Sequence, residues 1–219
     1  DWSDEAFPFM TFRQSVVNIG YTEIECRIAR ISFSGERAFE LYVNADYGAL
    51  MWQYLADFVV RYDGCLYGME ALGTLRIEKG HVTAAELDGR VTLEDAGFAK
   101  MASDKKPYIG SVLRKRAHLQ NSNRPKLVGI FPKDKSHKFG SGSVLCAKGQ
   151  VAGFGEGWIT AVTHSPVFGH YIGLGFISGG AEAWQGKPVI VADPVRDQFT
   201  EAEIVSPHMF DPLGERQQG

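Results

Sequence analysis

Apolar and polar positions alternate most regularly between Glu23 and Val43. Ile24, Cys26 and Ile28 are interleaved with charged neighbours, and Phe39, Leu41 and Val43 share one face at period two. Ile31 and Phe33 precede Ser34-Gly35-Glu36-Arg37, so the segment reads as two strands around a turn. After Asn44 and Asp46, both suited to cap a helix, the period lengthens. Met51, Leu55, Phe58 and Tyr62 recur at helical spacing, Leu50, Tyr54 and Val59 widen the stripe, and Asp63-Gly64 ends it. A second helix is expected from about Met69 to Lys79, stopped by Gly80. Asp88-Gly89 marks a tight turn. A third helix is expected after Pro107, with Ile109, Val112, Leu113 and, near its end, Leu119 turned inward.

From Asn121 the texture changes. Asn121-Ser122-Asn123-Arg124-Pro125 has the composition of a linker. Beyond it come short β-prone runs: Leu127–Phe131, Val144–Cys146, Trp158–Thr163, Tyr171–Ile177, Pro188–Val191 and Glu203–Val205. Glycines and prolines separate them at short intervals, the rhythm of a small antiparallel barrel or sandwich. The expected organisation is an α+β unit over residues 1–122 and an all-β unit over 126–219.

Composition narrows the function classes. The 219 residues are 44% apolar and 22% charged, which is ordinary for a globular chain and unlike a disordered or fibrous one. The formal net charge of −3 supplies no overall basic field to attract nucleic acid or anionic lipid. Lys105-Lys106 and Arg114-Lys115-Arg116 are basic clusters that read as a solvated helix face. Cys26, Cys65 and Cys146 are odd in number and far apart, against a disulfide framework or a zinc site. With neither a membrane-spanning run nor a secretory signal, a cytoplasmic location is expected. The first residue is Asp1, and Trp2, Phe7, Phe9 and Phe12 follow closely, so further sequence upstream is expected.

Few residues announce chemistry by type and spacing. Gly153-Phe154-Gly155-Glu156-Gly157 has the wrong spacing for a dinucleotide loop and is followed by the strand-like Trp158-Ile159-Thr160, so a β-turn is expected. His137, His164 and His170 lack ligand spacing, and no metal site is expected. Asp88, Glu94 and Asp95 sit beside turns, where carboxylates are mostly solvated. Glu40 differs, because alternation puts it on the face opposite Phe39 and Leu41. That face is either water or a pocket. In a pocket, its carboxylate can accept two hydrogen bonds from a planar N–C–N donor edge such as that of a pterin.

Three stretches resemble the aminomethyltransferases of glycine cleavage. Ser32-Phe33-Ser34-Gly35-Glu36-Arg37-Ala38-Phe39-Glu40-Leu41 is similar to their Tyr-Thr-Gly-Glu hairpin, which faces tetrahydrofolate. Ala71-Leu72-Gly73-Thr74-Leu75-Arg76-Ile77-Glu78-Lys79-Gly80 is similar to a helix of that family. Gly157-Trp158-Ile159-Thr160, Ser165-Pro166 and Ile172-Gly173-Leu174-Gly175 resemble its C-terminal β-domain. Tyr67-Gly68-Met69-Glu70-Ala71, the opening Glu5-Ala6-Phe7-Pro8-Phe9-Met10 and the closing Phe210-Asp211-Pro212-Leu213-Gly214 look like the branch formed by sarcosine oxidase alpha subunits.

The resemblance implies an α+β fold: the C-terminal half of an aminomethyltransferase-type folate-binding domain, followed by a small antiparallel β-barrel. It implies that Glu40 holds the pterin edge, that Phe33 replaces a tyrosine lining the folate site, and that His81 falls where some relatives place an aromatic folate neighbour. Leu72 stands where glycine-cleavage proteins have an arginine, so that contact is lost. Arg76 and Glu78 are read as ion pairing from helix to core. No catalytic residue is assigned, since the family's aspartate lies upstream. Tetrahydrofolate is the implied cofactor, with FAD or FMN and NAD expected only in other parts of the parent chain or in partner subunits. The implied partners are the beta, gamma and delta subunits of a sarcosine oxidase and the upstream part of the same chain. The implied function is capture of the one-carbon unit of oxidised sarcosine. A glycine-cleavage T-protein, another folate-dependent demethylase, or a folate-binding or assembly module without chemistry remain open.

Overall fold

The computed structural model describes residues 1–150 and 155–218. Two compact units emerge, Asp1–Leu75 with Asp211–Gly219, and Arg76–Phe210. These units divide within a helix, whereas the expected domains 1–122 and 126–219 divide at the Asn121 linker.

In the first unit, β1 (Thr11–Ile19) and β2 (Thr22–Arg30) form a hairpin in register from Ile19 opposite Thr22 to Thr11 opposite Arg30. Gly20, at φ 60°, supplies the left-handed backbone of its two-residue turn. The β3 strand (Glu40–Val43) adds antiparallel to β2, with Ile28 opposite Leu41. Phe7, Cys26 and Ile28 are buried on one face, with Phe39, Leu41 and Val43 packed against them. The Asn44 side chain accepts from the Asp46 N–H at 3.1 Å, capping a short 3-10 turn that leads into α1 (Gly48–Arg61).

Arg30 is fully buried at the end of β2. Its guanidinium donates to the Phe7 carbonyl at 3.0 Å and the Gln218 carbonyl at 2.7 Å, and meets the Asp4 carboxylate at 2.5 Å. A cation this deep needs such partners to offset desolvation.

Helix α2 (Met69–Lys79) has the expected bounds. Gly80 ends it at φ 80°, and a Cβ there would lie 2.3 Å from the Pro207 carbonyl oxygen, so a side chain is excluded on both counts. The second unit is dominated by a closed antiparallel barrel. Its strands are β4 (Pro125–Pro132), β5 (Val144–Ala147), β6 (Gly157–Ser165), β7 (His170–Ser178), β8 (Val189–Asp193) and β9 (Gln198–Val205). They close in the order β4-β7-β6-β5-β8-β9, leaving no free edge.

Val128, Ile130, Leu145, Ile159, Ile177 and Val191 belong to the cluster that all six strands share. Leu127, Ala161, Ile172, Leu174 and Phe176 point the other way and pack with Ile77 of α2. Ile159 and Ala161 serve opposite clusters although they are two residues apart. A bulge between them shifts the register, and the Thr160 hydroxyl there donates to the Leu174 carbonyl at 3.1 Å. At Gly157 the strands approach so closely that a Cβ would lie 2.0 Å from the Phe176 carbonyl oxygen.

Several expectations are corrected. The stretch after Pro107 is not an α-helix but two 3-10 turns, Leu113–Lys115 and Ala117–Leu119, with Ile109, Val112 and Leu113 exposed. Gly110 at φ 91° and the extended Arg116 interrupt any helical ladder. The basic clusters therefore do not lie on a helix face. The turn between β2 and β3 is a nine-residue connection that holds Ile31 and Phe33. The end of α1 at Asp63-Gly64 is as expected, with Asp63 in the left-handed region at φ 54°. Of the α1 stripe, Met51 is buried while Leu55 and Tyr62 are exposed. The glycine-rich reading at 153–157 lies partly outside the described residues, but Trp158-Ile159-Thr160 is strand as expected. No helix among the described residues is long and apolar enough to cross a membrane.

Candidate functional site

Alternation along β2 turns Ile24, Cys26 and Ile28 inward and leaves Glu25 and Arg27 on the opposite face. On β3, Leu41 and Val43 pack inward, so Glu40 and Tyr42 join that opposite face. Tyr42 pairs with Arg27 in register, and Glu40 with Ala29. The half-exposed Tyr42 donates its hydroxyl to Glu40 Oε2. That bond, followed by burial and the Glu40 charge, pushes the Tyr42 phenol above its ordinary range, while Arg27 acts the other way. The Arg27 guanidinium stacks 5.2 Å from the centre of the Phe12 ring. Gln14, Val16, Glu25, Arg27, Tyr42 and Asn44 line a hollow of about 510 Å³ on this sheet, which Glu40 reaches only through its bond to Tyr42.

The connection from β2 to β3 is held at both ends of the unit. Ser32 Oγ accepts from the Gly35 N–H at 3.0 Å. Glu36 receives Arg216 Nε at 2.8 Å, and Arg37 donates to the Trp2 carbonyl at 2.7 Å. Half-buried Phe33 sits in this connection. The structure thus places Glu40 and Phe33 on neighbouring parts of one unit and His81 in the other. His81 follows α2, where its N–H donates to the Arg76 carbonyl at 2.8 Å and its carbonyl accepts from Arg76 Nη1 at 3.2 Å.

The remaining carboxylates resolve into pairs. Asp88 holds Arg90, Glu94 holds Arg114, and buried Asp95 meets Arg124 at 2.5 Å. The expected ion pairing of Arg76 is made with Glu86 at 2.9 Å, both nearly or fully buried. Burial alone would raise the Glu86 carboxyl. The Thr160 hydroxyl, the Thr83 N–H and hydroxyl and the Arg76 charge together hold it below its ordinary value. Among the described residues Glu78 makes no ion pair of the kind expected, and accepts instead from the buried Ser165 hydroxyl. His170 is buried, with Nδ1 2.8 Å from the Tyr171 carbonyl and Nε2 3.1 Å from Lys135 Nζ. No group of three or more His, Cys, Asp or Glu among the described residues is placed to hold a metal ion.

Sequence reasoning passed over Tyr42 and Arg27. Their signal was available: Tyr42 stands two residues beyond Glu40, hence on its face, and Arg27 has the opposite parity to Cys26.

The GCVT N-terminal domain family matches residues 1–106. The chain is 38% identical over 219 residues to the sarcosine oxidase subunit alpha of Rhizobium meliloti (strain 1021), covering 99% of this chain and 22% of that protein. It is 34% identical to that of Corynebacterium sp. (strain U-96), with 100% and 23% covered. An aminomethyltransferase of Staphylococcus saprophyticus is 32% identical over 92% of this chain and 52% of its own length. The crystal structure of the glycine cleavage system aminomethyltransferase T from Bartonella henselae superimposes with a TM-score of 0.70, at 19% identity, over 87% of this chain and 50% of that one. This last likeness supports the fold: helices with a sheet, and a closed six-stranded barrel. The chain spans less than a quarter of the length of the alpha subunits it matches and about half that of the aminomethyltransferases. Residues 1–106 thus match the GCVT N-terminal domain family, and the chain as a whole is similar in sequence to sarcosine oxidase alpha subunits and to aminomethyltransferases, whose fold it shares.

Proposed function

We propose that the chain is the folate-handling region of a sarcosine oxidase-type alpha subunit, which captures the one-carbon unit of oxidised sarcosine. The observation that carries this reading is Glu40: a carboxylate on the uncovered face of a strand, hydrogen-bonded by Tyr42, which itself lines a hollow of the size that small-molecule sites occupy. Its identity of 38% to one alpha subunit, against 32% to an aminomethyltransferase, favours the oxidase branch. The acceptor carboxylate suits a pterin, whose planar N–C–N edge offers two N–H groups to it.

Folate supplies two nucleophilic nitrogens. The imine formed from sarcosine gives up its methylene carbon to both, each nitrogen loses one proton, and the two protons complete the amine of the departing glycine. The product is 5,10-methylenetetrahydrofolate. This chain's residues hold and orient: Glu40 fixes the pterin, Phe33 is its proposed neighbour in the same unit, and the protein shields the imine from water. Flavin, nicotinamide cofactor and the beta, gamma and delta subunits belong to the rest of such an assembly. On this reading the domain division at Asn121 to Pro125 separates folate handling from the barrel.

Glu40→Gln tests the assignment in the complete polypeptide expressed from its own gene with its partner subunits. A charged hydrogen bond contributes about 1.5–3 kcal/mol, so tetrahydrofolate affinity measured by calorimetry is expected to fall about 10- to 150-fold. Sarcosine oxidation is expected to stay nearly unchanged, with formaldehyde accumulating in place of methylenetetrahydrofolate. Unchanged affinity would make Glu40 a solvated strand residue and remove the site.

A further inference from the structure

A glutamate at the start of a strand, on a face open to solvent, has three rotatable side-chain bonds. Each conformer it visits when free must be given up when a ligand binds. Glu40 is not free in this way. Tyr42 lies two residues on, hence on the same face, and its hydroxyl donates to Oε2. Oε1 accepts no hydrogen bond among the described residues, and Oε2 keeps a second lone pair. The carboxylate is thus held at one corner and open at the edge that a two-donor ligand needs.

Tyr42 is itself well placed to act as an anchor. It pairs with Arg27 in register, its ring lines the hollow, and Arg27 is held in turn over Phe12. A tyrosine phenol keeps its proton, and remains a donor, at neutral pH.

We propose that Tyr42 is a positioning residue for Glu40, locking the carboxylate in its ligand-ready orientation before the pterin arrives. This rests on the reading of Glu40 as the pterin-binding group. Tyr42 acts through Glu40, by preorganisation. Arg27, facing Tyr42 across the register, keeps the ring from swinging away.

Tyr42→Phe keeps the ring and removes only the donor. In the complete polypeptide, with tetrahydrofolate as the probe, calorimetry is expected to show affinity weakened roughly 3- to 15-fold, with Tm nearly unchanged. The decisive comparison is a double-mutant cycle with Glu40→Ala. In that background the further change Tyr42→Phe is expected to cost nothing, because no carboxylate remains to be positioned. A tyrosine that only packs against the sheet would cost the same in both backgrounds. A neutral Tyr42→Phe, or an equal loss with and without Glu40, overturns the inference. If Glu40→Ala itself leaves affinity intact, the proposed site fails with the inference; a loss in Glu40→Ala beside a neutral Tyr42→Phe overturns the inference alone.

Discussion

The barrel and the three-stranded sheet are built from similarly regular strands, yet they differ in what is left uncovered. Every barrel strand has two neighbours, and β7 is buried along almost its whole length because clusters lie on both sides of the wall. The sheet of β1, β2 and β3 has one covered face, while the other carries exposed Phe12, Val16 and Tyr42 among Gln14, Glu25 and Arg27. A closed barrel satisfies its backbone and its apolar side chains internally and has little to offer a ligand. A sheet covered on one side keeps a row of polar groups at fixed spacing, and that is where the candidate chemistry gathers. Exposure is wider still beyond α1, where residues 61–70 are all exposed, Tyr62, Leu66, Tyr67 and Met69 among them.

The contrast is open to attack by experiment. The largest effect should come from the buried pair in the second unit. Arg76→Leu leaves Glu86 without its cation and is expected to cost about 3–5 kcal/mol in denaturant unfolding. The pair also sets an acid limit. Because the folded Glu86 titrates below its ordinary value of 4.5, its contribution is complete above that pH and is lost as pH falls through the lower folded value. In Arg76→Leu the acid transition, followed by circular dichroism, should move to higher pH. Next comes the doubly covered wall: Leu174→Ala is expected to lose about 2–5 kcal/mol through the cavity it opens. The smallest effect belongs to the open face, where Val16→Ala should stay within about 0.5 kcal/mol. An equal loss at Val16 and Leu174 would show that the sheet's second face is as fully packed as the barrel wall.

The barrel strands were legible because glycines and prolines punctuate them and β-branched residues fill them, as in Trp158–Thr163 and Tyr171–Ile177. The first strand was not. Along Thr11–Ile19, Phe12 and Val16 face one side and Val17 and Ile19 the other, so no single apolar face emerges. The apolar residues after Pro107 gave a false helix, because Ile109 and Val112 stay exposed among the described residues and burial does not reward a helical stripe. At the candidate site, parity alone placed Glu40 on the open face. Parity does not show which hydroxyl reaches which carboxylate, so Tyr42 emerged only from coordinates. Arg30 was hidden for a related reason: its partners are two backbone carbonyls and Asp4, distant in sequence and silent in composition.

The close approach of β6 and β7 has a consequence at the level of the gene. Any single-base change that replaces a glycine codon by that of another amino acid introduces a Cβ. At Gly157 that atom would meet the Phe176 carbonyl oxygen at 2.0 Å, and at Gly175 the Trp158 carbonyl oxygen at 2.4 Å. Both obstacles are backbone, which cannot swing aside as a side chain can. Missense alleles at these two codons are therefore disruptive whatever residue they encode, while Gly68 and Gly89, with open space around the same atom, can drift. Random mutagenesis under selection should recover survivors at the second pair and synonymous changes alone at the first.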